Sequence, residues 1–202
     1  MTQRMGIFGG TFDPPHIGHL ILAAEAHQQL TLDRVYFVLA ADPPHKQDRE
    51  ITPVKHRLAM LASAIQDQEK FEISRVEIDR PGPHFALDSL RQFKADIPDA
   101  ELIYLIGGDS LRDLPKWHKA NEILDIVQKL GVMRRPFTDL NLEALQEQLP
   151  QLHSKLEFVD TPLLEISSRE LRRKAAHQEH FRNYLHQSVY AYILENQLYS
   201  AA

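Results

Sequence analysis

The sequence predicts an α/β fold, a Rossmann-like and mostly parallel sheet with helices on both faces. Short apolar runs typical of buried strands alternate with segments of helical periodicity along the chain. Several of the predicted strands end in clusters of Gly, Pro or His, as strands that lead into ligand-binding loops do. The length of 202 residues suits one large α/β domain with a substantial core. We therefore expect one domain over 1–202, with a helical C-terminal part over about 167–202 packed on it.

The elements can be assigned in chain order from their apolar patterns. The run at 5–8 predicts a first strand, and apolar residues recur at helical spacing from Gly18 onward. The β-branched and aromatic run at 34–39 predicts a second strand. Further predicted elements are a helix beginning near Pro53, a strand at 71–78, a helix at 86–94, a strand at 101–106, apolar stretches within 124–133 and at 155–159, and helices from 167 onward, with 141–154 as the most peripheral segment.

Composition and charge exclude several classes of protein. A hydrophobic fraction of 43% and a charged fraction of 25% are typical of a globular protein. The net charge of −5 argues against a general nucleic-acid binder, which needs an excess of basic residues. The chain has no cysteine, so disulfides and thiolate metal sites are excluded. Because no apolar run approaches membrane-spanning length and the N-terminal run is too short for a signal peptide, we expect a cytoplasmic protein without membrane contact.

The opening loop, GGTFDPPHIGH at 9–19, concentrates conformationally special residues. Gly9 and Gly10 permit a tight departure from the strand and a close approach of backbone to ligand. His16 and His19 are three residues apart at the start of a helix, where unpaired N–H groups attract phosphate. A zinc pair is the alternative, but the zincin pattern needs a spacing of four with an intervening Glu. The sequence also lacks the GxxxxGK[ST] and GxGxxG phosphate-binding patterns.

Two later loops carry groups that suit phosphate. Rigid prolines at 43–44 determine where Lys46 emerges, and lysine binds phosphate as a point charge. Near the C-terminus, Ser167 or Ser168 caps a helix, and Arg172 lies one turn into it. If the strands are parallel, these loops lie at the same edge of the sheet as the opening loop. The loop after the predicted strand at 101–106 begins with Gly107, Gly108 and Asp109 and belongs to the same edge. These four strand-end loops together predict one phosphate site.

The motifs resemble a known group of enzymes. GGTFDPPHIGH is similar to the GxFDPxHxGH signature of the nucleotidyltransferase α/β-phosphodiesterase superfamily, and ISSRELR at 166–172 resembles its ISSTxIR motif. The runs PPHK at 43–46, HRLAML at 56–61, GGDSLRDLPKW at 107–117 and VMRRP at 132–136 resemble bacterial nicotinate-nucleotide adenylyltransferases. The resemblance covers about residues 3–195.

This resemblance implies a reaction and a set of site residues. The implied reaction transfers AMP from ATP to nicotinate mononucleotide, giving deamido-NAD and pyrophosphate in NAD biosynthesis. Mg²⁺ would be bound through the ATP phosphates, with no metal held by protein ligands. The implied catalytic residues are His16, His19, Lys46 and Arg172. The implied ATP-binding residues are Gly9, Gly10, Phe12, Gly18, Gly107, Asp109, Ile166, Ser167 and Ser168. The implied nicotinate mononucleotide-binding residues are Thr11, His45, Phe85, Ala86, Trp117 and Arg134.

The chain departs from the family pattern at two places. His84, Phe85 and Ala86 stand where the family has Ser, Tyr and Thr, so only the backbone N–H of Ala86 can serve the acceptor carboxylate. Arg169 stands where the ISST pattern has Thr.

Three alternatives bear on the function. Nicotinamide mononucleotide is the alternative acceptor, and the residues alone do not decide between it and nicotinate mononucleotide. Pantetheine phosphate is less favoured, because that branch is shorter and lacks the DSLRDLPKW run. A nucleotide-sensing module that binds ATP without turnover is a third reading, although it has no need of a complete set of phosphate-binding residues. The sequence leaves open whether the chain forms a homo-oligomer.

Overall fold

In the computed structural model, one six-stranded parallel sheet has the strand order β3-β2-β1-β4-β5-β6. The structure describes residues 2–42, 51–133, 140–162 and 164–200. The strands are β1 Arg4–Gly10, β2 Arg34–Leu39, β3 Phe71–Ser74, β4 Glu101–Gly107, β5 Lys129–Met133 and β6 Leu156–Val159. The helices are α1 Ile17–Gln29, α2 Val54–Ile65, α3 Ala86–Asp96, α4 Gly108–Asp113, α5 Ala120–Ile126, α6 Leu142–Gln148, α7 Leu152–Lys155, α8 Ser168–Ala176 and α9 Gln187–Glu195.

The sheet separates two apolar cores, because alternate residues of each strand point to opposite faces. On β4, Ile103 and Leu105 enter one core, whereas Leu102, Tyr104 and Ile106 enter the other. Helices α1, α2, α8 and α9 cover the first face, and α3 to α7 cover the second. The predicted α/β fold with helices on both faces is confirmed.

The strand order reverses between β1 and β4, which are neighbours at the centre of the sheet. Such a topological switch point leaves a crevice outside the carboxyl ends of the two strands, where ligands of open α/β sheets bind. The loops after β1, β2, β4 and β6 all leave from this edge, because every strand pair is parallel.

The third strand is shorter than the alternating pattern indicates. The sequence predicts a strand over 71–78, but β3 ends at Ser74. β3 is an edge strand whose only partner, β2, pairs with it over Val35–Val38, so little backbone remains to extend the ladder. The chain turns instead, with the N–H of Asp79 donating to the carbonyl of Arg75 at 2.9 Å. The turn carries Glu77 to a buried position.

The C-terminal helices complete the first core. Leu171, Val189 and Ile193 are buried there against α1 and α2. The segment predicted to be peripheral, 141–154, forms α6 and α7, and its leucines enter the second core. Among the described residues, no helix is long and apolar enough to cross a membrane.

Candidate active site

A cavity of about 270 Å³ occupies the switch-point crevice, and we call it the first pocket. Segments distant in the sequence meet in it: the loop after β1, the start of α4 and the start of α8. The predicted residues among its lining are Gly9, Gly10, Thr11, Phe12, His19, Gly107, Asp109, Trp117, Ser168 and Arg172.

The two histidines lie together at the start of α1. Their rings stack with centroids 3.7 Å apart, and the backbone N–H of His16 donates to Nδ1 of His19 at 3.1 Å. Because that nitrogen accepts, the imidazole proton of neutral His19 lies on Nε2. His16 is buried and is the N-cap of α1, whereas His19 reaches the first pocket. A Cβ on Gly18 would lie 3.0 Å from Nδ1 of His16, so this glycine makes room for the buried ring.

The glycines before this helix make room for protein groups. A Cβ on Gly10 would lie 2.7 Å from the ring of Phe12, and one on Gly9 would lie 3.3 Å from the hydroxyl of Tyr104. Phe12 itself has the left-handed backbone conformation, with φ of 47°. Its ring is buried and contacts His19 edge to face with centroids 5.0 Å apart. Phe12 therefore packs against the His19 ring and also lines the first pocket.

The α8 helix begins beside the opening loop. Ser167 is its N-cap, and its hydroxyl accepts from the N–H of Glu170 at 3.3 Å. The hydroxyl of Ser168 donates to the carbonyl of Pro14 at 2.8 Å. Nη1 of Arg172 donates to the carbonyl of Asp13 at 2.5 Å. These bonds hold a guanidinium and a second helix N-terminus at the pocket that contains His19.

A second cavity of about 510 Å³, the second pocket, adjoins the first and shares Gly9, Gly10, Thr11, Tyr104 and Trp117 with it. Its other walls include the start of α3 and the segment after α4. Because the two cavities share this wall, a ligand in one lies next to a ligand in the other.

Aromatic rings line the second pocket. Trp117 is half-buried and meets Tyr104 edge to face with centroids 6.2 Å apart. Phe85, the N-cap of α3, stacks on His118 with centroids 4.3 Å apart. Burial, with a smaller contribution from the Glu77 carboxylate, raises the pKa of Tyr104 above its usual value, so its hydroxyl stays protonated. The pocket thus offers flat apolar surfaces of the kind that suit an aromatic ring.

The sequence comparisons identify the family. The profile of the cytidylyltransferase-like family matches residues 7–174. A probable nicotinate-nucleotide adenylyltransferase of Thermomicrobium roseum is 43% identical over 197 residues, which is 98% of this chain and 92% of the relative. The nicotinate-nucleotide adenylyltransferase of Bacillus subtilis is 37% identical over 199 residues, covering 98% of this chain and 100% of the relative. The chain belongs to the cytidylyltransferase-like family.

Solved structures agree with this assignment at the level of the fold. The nicotinic acid mononucleotide adenylyltransferase of Plasmodium falciparum, in a structure complexed with NaAD, superposes with a TM-score of 0.81 at 20% identity. That match covers 98% of this chain and 97% of the other. This cytidylyltransferase-like chain and the Plasmodium protein therefore share one fold although their sequences are only 20% identical.

The predicted site residues of this family member differ in how they relate to the two pockets. Four of them line neither pocket and lie at or next to the starts of α1 and α8: His16, Gly18, Ile166 and Ser167. Phe85 and Ala86 line the second pocket, and Thr11 and Trp117 line both pockets. Lys46, His45 and Arg134 lie outside the described residues. Asp109 is in the first turn of α4 beside Arg112, and Gly107 is the N-cap of that helix.

Sequence reasoning missed Arg57, which is 2% exposed. Its guanidinium donates to the carbonyls of Thr52, Thr11, Ala40 and Ala41 at 2.7 to 3.1 Å. Burial lowers the pKa of Arg57, while the charge of the Asp13 carboxylate opposes that shift. Because it bonds both strand-end loops, Arg57 fixes the loop after β1 relative to the loop after β2.

A second missed group is the buried carboxylate of Glu77, 8% exposed, in the wall of the second pocket. Its Oε1 accepts from the hydroxyl of Ser89 at 3.0 Å. Arg80 donates to the same hydroxyl at 3.2 Å and to the carbonyl of Phe85 at 3.3 Å. This network holds the start of α3 in place and gives the second pocket a negative group.

Proposed function

We propose that the chain transfers the AMP group of ATP to nicotinate mononucleotide, forming nicotinate adenine dinucleotide and pyrophosphate. The observation that carries the proposal is the first pocket, where the starts of α1 and α8, His19 and Arg172 face one cavity at the switch point. Relatives at 37% and 43% identity are named for this activity. The proposal treats residues 1–202 as one nucleotidyltransferase domain built around one sheet.

The chemical step requires alignment and charge screening. An oxygen of the acceptor phosphate attacks the α-phosphorus of ATP, the bond to the bridging oxygen breaks, and pyrophosphate leaves. Because that phosphate is already ionised, no general base is needed. Two like unit charges about 4 Å apart repel by roughly 4 kcal/mol at an effective dielectric of about 20. Positive groups and N–H donors around the first pocket therefore provide most of the transition-state stabilisation in this proposal.

Each group has a distinct task in this proposal. The Nε2–H of His19 donates to the α-phosphate, while the backbone N–H of His16 sets the tautomer of His19 and the stacked ring of His16 holds its orientation. Arg172 and the start of α8 bind the β- and γ-phosphates, where the pyrophosphate charge develops. Asp109 accepts from the ribose hydroxyls. Lys46, from the loop after β2, adds positive charge to the triphosphate.

Magnesium enters with ATP in this proposal. Of the two carboxylates that line the first pocket, Asp13 accepts from Tyr199, and Asp109 lies 3.5 Å from Arg112 and is assigned to the ribose hydroxyls. Among the described residues, no group of three or more His, Asp or Glu side chains could hold a metal. The residues thus fit an ion carried by phosphate oxygens and water, and Mg²⁺ so bound would neutralise triphosphate charge.

The acceptor occupies the second pocket. The pyridine ring stacks on Trp117, and the start of α3 presents the N–H of Ala86 to the nicotinate carboxylate. His45 and Arg134, which lie outside the described residues, are assigned to the acceptor on the family resemblance alone. The shared wall of Gly9, Gly10 and Thr11 brings the acceptor phosphate towards the triphosphate in the first pocket.

One observation favours a second candidate acceptor. The Glu77 carboxylate lines the second pocket, and it could accept from the carboxamide of nicotinamide mononucleotide while repelling a nicotinate carboxylate. The helix N-terminus at Ala86 has the opposite preference, since it favours an anion. We place nicotinate first because the α3 terminus faces the pocket directly and the named relatives use that nucleotide.

The test compares the two acceptors. The purified chain is supplied with ATP, Mg²⁺ and either nicotinate or nicotinamide mononucleotide, and pyrophosphate release is followed. We expect kcat/KM to be about 10-fold or more higher with the nicotinate nucleotide. Glu77→Gln serves as a matched variant, since losing the negative charge should improve only the nicotinate acceptor. No pyrophosphate with either acceptor would contradict the reaction, and equal efficiencies would contradict the acceptor assignment.

A further inference from the structure

The Asp13 side chain is a buried charge next to a pocket cation. Asp13 is 1% exposed, and its Oδ2 lies 3.7 Å from Nη1 of Arg172. The same Nη1 donates to the Asp13 backbone carbonyl at 2.5 Å. The Arg172 guanidinium is therefore hydrogen-bonded to the Asp13 backbone and lies within ion-pair distance of the Asp13 carboxylate, so a small shift of that carboxylate would change how strongly it attracts the guanidinium.

The other carboxylate oxygen of Asp13 is bonded from the far end of the chain. The hydroxyl of Tyr199 donates to Oδ1 of Asp13 at 2.8 Å, across 186 positions of sequence. The chain folds back after α9 to reach this place, with the N–H of Leu198 donating to the carbonyl of Ile193 at 3.0 Å. Burial, and to a lesser degree the charge of Asp13, raises the pKa of Tyr199 above its usual value. Tyr199 therefore remains a hydrogen-bond donor at neutral and moderately alkaline pH.

The Asp13 carboxylate and a bound triphosphate compete for the same guanidinium. Without the Tyr199 hydroxyl, Oδ1 would be a buried acceptor that has lost its partner, and such groups seek another donor. Arg172 is the pocket-lining donor next to it, and its guanidinium can receive a carboxylate through both oxygens. The hydrogen bond from Tyr199 thus occupies Oδ1 and opposes a contact of both carboxylate oxygens with Arg172, which leaves the guanidinium available to the pocket.

We infer that Tyr199 is a positioning residue for phosphate binding, acting through Asp13 on Arg172. The inference rests on the proposed function only in requiring that the first pocket binds the phosphates of ATP. It requires nothing of the acceptor. Tyr199 does not line either pocket.

The test uses Tyr199→Phe, which removes only the hydroxyl. Tyr192→Phe is the matched control, because the Tyr192 hydroxyl also makes a hydrogen bond, to His56 at 3.0 Å, but away from the opening loop. Binding of Mg²⁺–ATP and of adenosine is measured by calorimetry without acceptor. We expect Tyr199→Phe to weaken ATP binding by about 10-fold and adenosine binding by less than about twofold. Tyr192→Phe should leave both within about twofold of the unmodified chain.

Two further measurements sharpen the test. In an Asp13→Asn background, Tyr199→Phe should have little additional effect on ATP binding, because the competing charge is gone. If that background fails to fold, the comparison of ATP with adenosine still decides, since a merely structural defect would weaken both ligands alike. ATP binding by Tyr199→Phe equal to that of Tyr192→Phe, or parallel losses for ATP and adenosine, would overturn the inference. Failure of the unmodified chain to bind ATP would overturn the proposed function together with it.

Discussion

At the scale of single residues, three contacts from His16 and Phe12 restrain the His19 ring. His16 stacks on it, the His16 N–H bonds its Nδ1, and Phe12 meets it edge to face. The restrained imidazole presents its Nε2–H donor to the pocket and loses little conformational freedom when it binds a ligand. Such preorganised donors stabilise charge that develops during a reaction. The sequence alone suggested a shared helix face for the two histidines, but not that His16 would serve as a buried support.

This geometry predicts the effect of removing the ring. His19→Ala should lower kcat by about 100-fold to 1,000-fold, in the range for loss of one preorganised donor. His27→Ala, in the last turn of the same helix, is the control and should retain a rate within about twofold of the unmodified chain. Pyrophosphate release and thermal melting are measured for both variants. A His19→Ala enzyme with near-normal turnover would remove this residue from the mechanism.

Arg57 leads to a prediction about stability. Arg57→Met should lower the free energy of unfolding by about 3 kcal/mol, because it leaves the carbonyls of both strand-end loops without their buried donor. Lys55→Met, at an exposed position of the same helix, should change it by less than about 0.5 kcal/mol. Urea titrations of both variants provide the measurement. Equal midpoints would mean that the loops hold their positions without the guanidinium.

Some of these residues could have been found in the sequence, and others could not. Arg57 lies three and four positions before the buried Met60 and Leu61, so a charged residue in an otherwise apolar helix stripe was a readable signal. No local pattern marks Tyr199, because its partner Asp13 is brought to it only by the tertiary fold. The close approach of Gly9 and Gly10 to a ligand stays a prediction, and the structure adds that a Cβ at these positions would meet Tyr104 and Phe12.

At the scale of elements, periodicity located the strands but not always their ends. The run at 101–106 became β4 with one more residue, because β5 continues its ladder as far as Met133, opposite Gly107. β3 stopped early because its one partner ends, and only then could the chain turn Glu77 into the second pocket. The end of a strand thus depends on how far its neighbouring strand can pair with it, and this cannot be read from the sequence pattern.

The α8 helix carries a pH-dependent contact at its C-terminal end. Arg173 donates to both Glu170 and Glu179. Its hydrogen bond to Glu179, together with a weaker one from Lys174, lowers the pKa of Glu179 to about 2 from an ordinary 4.5. A carboxylate with a lowered folded-state pKa stabilises the fold above the unfolded-state value, and that stability disappears as the pH falls from about 4.5 to about 2.

Glu179→Gln should therefore lower the melting temperature slightly at pH 6, and the difference from the unmodified chain should shrink below about pH 4.5 and vanish below about pH 2. The effect is small because the groups are exposed and screened by solvent. Glu147→Gln, an exposed change on α6, is the control. Melting curves at several pH values test this, and a difference that grew on acidification would contradict the assignment.

At the scale of the whole molecule, two cores share one sheet. Each central strand contributes alternate residues to both cores. Loss of packing in one core therefore disturbs the same strands that form the other core. The C-terminal helices add Leu171, Val189 and Ile193 to the first core, and Tyr199 ties the end of the chain to the loop after β1. The parallel topology was predictable from the alternation of strands and helices, whereas this closure between the two ends was not.

Such sharing predicts one cooperative unfolding transition for the full chain. Trp117, the only tryptophan, reports on the second core by fluorescence, and far-UV circular dichroism reports on the helices of both faces. We expect the two signals to give the same urea midpoint, and calorimetry to give equal van't Hoff and calorimetric enthalpies. If Mg²⁺–ATP binds in the first pocket as proposed, it should raise both midpoints together, because segments of both faces meet there. Loss of helical signal before the tryptophan signal changes would mean that the C-terminal part over 167–202 unfolds as a separate unit, and that the one-domain interpretation is wrong.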